Sequence, residues 1–222
     1  MEITAKAVAE LRGMTGVGMM ECKKALTEAN GDMDKAVKIL SELGLAKAAK
    51  KAGRIAAEGI VVFYDHQNLH QKFAMVELNC ETDFAAKNPQ FYTVGRDIAM
   101  QVVATNPIAV RPEDLPASYI AEQKELFMAQ LKNDPKNANK PENVLEKIIE
   151  GKLNKHFEEV CLLNQPFIKD GDKKVQDVIN DLTLVIGEKI TVRRFVRWEV
   201  GEGLEKRNDD FAAEVASQAK NN

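Results

Sequence analysis

The residues of this 222-residue chain with the plainest capacity for nucleophilic or metal chemistry are three cysteines and three histidines, and their spacing supports neither. Cys22, Cys80 and Cys161 are isolated, without a Cys-x-x-Cys pair, so they imply neither a disulfide framework nor a zinc site. A thiol enzyme using Cys80 or Cys22 with a histidine is the weakest reading, because neither cysteine has a histidine nearby in sequence or a motif that would lower its pKa. His66, His70 and His156 are too few to suggest a metal centre. No Gly-x-x-x-x-Gly-Lys-Ser/Thr loop is present, and Gly16-Val17-Gly18 does not continue into a dinucleotide fingerprint. We therefore expect no catalytic residues, no cofactor and no metal. The 31 Lys and Arg against 34 Asp and Glu leave a net charge of -3, which provides no global positive field for direct nucleic-acid binding. There is no apolar signal core in MEITAKAVAE and no run of about 18 apolar residues, so a membrane is not expected and a reducing cytoplasm is.

Two runs have a composition suited to contact. Asn79-Cys80-Glu81-Thr82-Asp83-Phe84-Ala85-Ala86-Lys87-Asn88 comes directly off an alternating segment, and Thr82 or Asp83 can cap a short helical turn. Phe84 then stands in the first turn, either facing outward as an anchor for a partner or folded back onto the sheet. Thr15-Gly16-Val17-Gly18-Met19-Met20 is a loop entering a helix with two adjacent methionines. Successive helix positions differ by about 100°, so the pair cannot both enter one small core. Either one is core and the other half-exposed, or both serve a partner through their adaptable side chains. Arg193, Arg194 and Arg197 could bind phosphate, but Glu188, Glu199, Glu202 and Glu205 dilute that field and favour structural pairing.

The elements that must position these runs can be read from periodicity. With 45% hydrophobic and 6% aromatic residues, the core is mostly aliphatic and rich in helix. Residues 1–45 hold three short helices: one capped by Thr4 and ending near Gly13, one bearing Met19, Cys22, Leu26 and Ala29 and stopped by Asn30-Gly31, and one capped by Asp32 and closed by Gly44. Residues 46–58 are an Ala- and Lys-rich linker, a solvated helical connector or a small anionic contact. A hairpin follows, with a strand over 60–64 and another over 73–80 whose Ala74, Val76, Leu78 and Cys80 share a face. Helices are predicted from Pro89 to before Asn106, over about 117–132, after Pro141 and over 175–186 up to Gly187. The polar run 133–141 reads as the tip of a helical hairpin over about 117–157. Thr191 to Val200 is a third strand, with Val192, Val196, Trp198 and Val200 on one face and Arg193, Phe195, Arg197 and Glu199 on the other. Residues 201–222 form a C-terminal module, with a last helix carrying Phe211 and Val215. The class is α+β: a three-helix N-terminal domain, then a core over 59–200 with a three-stranded antiparallel sheet, packed helices and the hairpin.

At this point the runs resemble those of a known family. TGVGMMECKKALTEANGDMDKAV (15–37), NCETDFAAKN (79–88), EVCLLNQPFIKD (159–170) and RRFVRWEVGEGLEK (193–206) are similar, in the expected order, to the signatures of elongation factor Ts. The resemblance implies a ubiquitin-associated-like first domain and a dimerisation core. It implies guanine nucleotide exchange on elongation factor Tu, bound to GDP or nucleotide-free, in the elongation phase of translation. It assigns Phe84 to a wedge between helices of the GTPase domain, disturbing the magnesium and phosphate site, with Thr82 and Asp83 placing the ring. It further assigns Arg12, Met19, Met20 and Lys23 to a separate contact on the same partner, and gives the C-terminal helix a share. Two departures stand out: Ala85 occupies a place where the family commonly has Val, and the second half of the core sheet found in longer members is missing. Some short members restore that half by pairing two chains, so a homodimer is an open expectation. A ubiquitin-associated-type adaptor would account for residues 1–45 and leave the 79–88 run without a purpose.

Overall fold

The computed structural model of the chain describes residues 3–134 and 140–205. The first helix, α1 (Ala5–Thr15), begins where the Thr4 hydroxyl accepts from the Ala7 N–H, and it ends at Gly16, whose φ of 70° is the left-handed conformation of a helix stop. It runs slightly past Gly13, which is a plain helical residue. Helix α2 (Met19–Glu28) ends before Asn30 and Gly31, both at positive φ as expected. Helix α3 (Met33–Lys51) starts where the Asp32 carboxylate accepts from the Lys35 N–H. Val8, Leu11, Val17, Cys22, Leu26, Ala36 and Leu40 form the small core between these three helices.

Gly44 does not close α3. The helix continues to Lys51, through the first residues of the expected linker, because Leu45, Ala46, Ala48 and Ala49 are strong helix formers. The glycine serves close approach instead: a Cβ there would lie 3.1 Å from the backbone oxygen of Asn180. That oxygen belongs to α8 (Val175–Ile186), whose Leu184 joins the first module's core.

The main sheet contains β1 (Glu58–Asp65), β2 (Lys72–Cys80) and β5 (Thr191–Glu199) in the order β1-β2-β5, all antiparallel. Its inner face carries Val62, Ala74, Val76, Leu78, Cys80 and Val192, all essentially fully buried. Helix α5 (Pro89–Thr105) lies on that face with Phe91, Ile98 and Val102, and α8 adds Val175, Ile179 and Leu182 to the same core. Asn106 at φ 47° ends α5, and Gly187 at φ 80° ends α8.

The third strand departs from simple alternation. Leu78 pairs with Val192 but Glu77 pairs with Arg194, so Arg193 is an extra residue in a β-bulge. One inserted residue exchanges the faces beyond it. Phe195 and Arg197 therefore sit opposite Val76 and Ala74 on the inner side, while Val196 and Trp198 face outward. Val200 lies past the strand and is exposed. Arg193 and Arg194 both bind the Glu77 carboxylate, at 2.8 and 2.7 Å, and these two guanidinium groups pull its pKa down to about 2. Arg197 pairs with Glu199 and Glu202. The arginines are thus used in structural pairing.

Helices α6 (Ala117–Asn133) and α7 (Glu142–Val160) form the hairpin and bury Leu131, Ile149 and Leu153 between them. At its root Tyr119 and His156 share a 2.8 Å hydrogen bond beside Cys161. A second, two-stranded sheet, β3 (Pro166–Phe167) with β4 (Asp170–Lys174), has no counterpart in the sequence reading: β3 is two residues long and β4, DGDKK, carries no apolar residue to alternate. Residues 135–139 of the expected tip and the expected last helix with Phe211 and Val215 lie outside the described residues. Among the described residues, no helix is long and apolar enough to cross a membrane.

Candidate functional site

β2 ends at the buried Cys80, and the chain then leaves the sheet through Glu81 and Thr82 into the one-turn helix α4 (Asp83–Ala86). Thr82 is extended, and its hydroxyl accepts from the Ala85 N–H at 3.3 Å, the geometry of a helix cap. The same hydroxyl donates to Oε1 of Glu188 at 2.7 Å, while Oε2 of Glu188 accepts from the N–H groups of Glu81 and Thr82 at 3.0 and 2.9 Å. Below the turn Ala85 is buried in the main core, where its small side chain fits.

With Ala85 directed inward, Phe84 points outward and is 80% exposed. The folded-back alternative is therefore excluded. Asp83 occupies the first turn and receives Lys87 Nζ at 2.6 Å; that hydrogen bond holds its carboxyl below the usual range. The Lys87 ammonium also lies 5.5 Å from the centre of the Phe84 ring. Glu81 is held low by its bond from the Lys189 N–H and then by Arg54.

The second candidate region is the corner between α1 and α2. Met19 and Met20 are 42% and 65% exposed, so of the two alternatives the one that places a methionine of the pair in the core does not hold. Val17 and Cys22 fill that position instead, with the Cys22 thiol donating to the Val17 carbonyl at 3.5 Å. Arg12 and Lys23 are also exposed, and Met14, which the sequence did not single out, adds a third open methionine.

Thr82, Asp83 and Phe84 are contiguous on α4, whereas Arg12, Met19, Met20 and Lys23 belong to the three-helix module. The loop at Gly16 meets the first turn of α5, close behind the 79–88 run. A Cβ on Gly16 would stand 2.7 Å from Nε2 of Gln90. Thr15, Gln90, Thr93 and Val94 line a shallow cavity at this junction.

The thiols are poor nucleophiles. Burial pushes the pKa of Cys22 and Cys80 up, and burial together with Glu113 and Asp114 raises that of Cys161 to about 11. Among the described residues, no group of three or more His, Cys, Asp and Glu side chains is placed to hold a metal ion. Sequence reasoning missed the role of Glu188. It follows a helix-ending glycine and binds a residue 106 positions away, a relation no local pattern encodes.

Residues 5–202 match the model of the family described as Elongation factor TS. The chain is 58% identical over 219 residues to a protein of Desulforamulus reducens named Elongation factor Ts, a match covering 99% of each chain. It is 54% identical over 216 residues to the protein of that name from Acetivibrio thermocellus, covering 97% of this chain and 98% of the other. A third relative of that name, from Geobacter sulfurreducens, is 51% identical over 219 residues and covers 99% of both.

Proposed function

The chain belongs to the elongation factor Ts family, and on that premise we propose that it is the guanine nucleotide exchange factor of elongation factor Tu, working through Phe84. The observation that carries this reading is an exposed aromatic ring on a turn whose cap is fixed at several points. Inserted between helices of the GTPase domain, the ring displaces the elements that hold magnesium and the nucleotide phosphates. The ion is the largest charge neutralising the diphosphate, so its loss frees GDP. Thr82 and Asp83 set the position of the ring. Arg12, Met19, Met20 and Lys23 of the ubiquitin-associated-like module hold the same partner elsewhere, which raises the effective concentration of Phe84 at its target.

No covalent chemistry is required. If the factor weakens GDP binding, GDP weakens factor binding by the same ratio, and the equilibrium between free GTPase and nucleotide is unchanged. The site of action is the cytoplasm, without direct contact to nucleic acid or membrane. The test follows fluorescent GDP leaving purified elongation factor Tu. Wild-type protein is expected to accelerate release strongly; release at the spontaneous rate would overturn the reading.

We further propose that a second copy of this chain is a partner. The outer face of the sheet exposes Val61, Phe63, Met75 and Trp198, and Phe73 lies between Phe63 and Trp198, tilted to the first and edge-on to the second, with ring centres 5.5 and 5.3 Å away. Such a face is covered when two three-stranded sheets meet. Wild-type protein is expected to sediment at twice the 24.7 kDa chain mass, and Phe63→Glu/Trp198→Glu at the chain mass. A wild-type monomer at micromolar concentration would exclude this pairing.

A further inference from the structure

Glu188 lies in the turn between α8 and β5, outside every run that the proposed function uses. Among the described residues, the three hydrogen bonds its carboxylate accepts come from Glu81 and Thr82. These two residues follow the end of β2, and the carboxylate supplies acceptors for both of their N–H groups. It also accepts the proton of the Thr82 hydroxyl, which leaves the oxygen's lone pairs directed at the Ala85 N–H.

The turn is anchored in return. Glu81 accepts from the Lys189 N–H at 2.6 Å, and Lys189 Nζ donates to the carbonyls of Ala52 and Arg54 at 2.7 and 2.8 Å. Lys51 Nζ donates to the Gly187 carbonyl at 2.6 Å, and Arg54 closes onto Glu81. Residues 51–54, 81–82 and 187–189 thus form one polar junction at the end of α3. We propose that Glu188 is a positioning residue for nucleotide exchange, acting through Thr82 to fix the direction of Phe84 relative to the three-helix module.

The groups released by losing Glu188 are half-exposed and can be hydrated, so the fold loses little while α4 loses its orientation. This inference rests on the exchange reading, and its test separates the two. Glu188→Ala and Glu188→Gln are made in the wild-type and Phe84→Ala backgrounds, and GDP release from elongation factor Tu is followed as factor concentration is raised. Glu188→Ala is expected to lower the maximal rate about tenfold, since hydrogen bonds to a charged group are lost. The half-saturating concentration is expected to move less than about threefold, because the module's contact is intact. Glu188→Gln recovers part of the rate through its amide oxygen, and its melting temperature stays close to wild type. Adding Glu188→Ala to Phe84→Ala costs nothing further if both act through one ring.

An unchanged maximal rate in Glu188→Ala, beside a wild type that accelerates release and a Phe84→Ala that does not, overturns the positioning role and leaves the exchange reading intact. A further loss in the Phe84→Ala background, or a rate loss in Glu188→Gln matched by a fall in melting temperature, also overturns it. A wild type without effect removes both.

Discussion

Phe84→Ala is expected to lower the maximal acceleration of GDP release by an order of magnitude or more while the protein still binds elongation factor Tu through its first module. The ring is 80% exposed, so its loss removes no core contact, and the melting temperature should stay at the wild-type value. Burying a Phe side chain is worth about 1.5–3 kcal/mol, which corresponds to roughly ten- to a hundredfold in a rate or equilibrium constant. If that burial is realised mainly as the phosphate site opens, it is lost from the maximal rate and little from half-saturation. Stopped-flow release curves at several factor concentrations separate the two. A variant as fast as wild type would leave the exchange function standing without this wedge.

A second large effect is expected from a residue outside the proposed contact runs. Gly59→Ala should destabilise the fold by about 3 kcal/mol or more, through steric conflict and backbone strain. Gly59 lies in β1 opposite Asn79 with φ at 150°, and a Cβ there would stand 2.2 Å from the Leu78 carbonyl oxygen and 2.8 Å from the Asn79 Cα. Both atoms are backbone of the neighbouring strand, so relief requires the strands to part. For a protein of this size the melting temperature should fall by roughly 6–12 °C. Exchange should fall with it, because the displaced backbone leads within three residues to Thr82. A melting temperature within about 2 °C of wild type would show that the strands absorb the methyl group.

The elements legible in the sequence are those whose determinants are local. β2 alternates because one face is buried against α5, and Ala74, Val76, Leu78 and Cys80 are all inaccessible. Pro89, Asn106 and Gly187 mark helix ends because helix starts and stops are set by the conformation of one residue. Gly44 is ambiguous in the sequence for a physical reason: a glycine serves equally as a stop and as a place where two helices touch, and only Asn180 across the interface decides. The bulge at Arg193 reversed the predicted faces because alternation has no marker for an inserted residue. Met19 kept helical spacing but lost its core place to Val17 from the preceding loop. In the candidate site, the run itself left Phe84 either outward or folded back and the cap with either Thr82 or Asp83; the burial of Ala85 and the bond from its N–H to the Thr82 hydroxyl decide both. Glu188 was not legible, since its partner is brought near only by the closed sheet.

The anchoring of α4 also determines when entropy is lost. Holding one residue's backbone in a single conformation costs about 1–2 kcal/mol. Here Thr82 is fixed by Glu188, and the turn that follows is fixed by the buried Ala85, so this ordering is complete when the chain folds. A partner that receives Phe84 meets a segment with little freedom left to surrender, and more of the burial energy remains for displacing the partner's own groups. A mobile loop carrying the same phenylalanine would spend much of that energy ordering itself before it moved anything else.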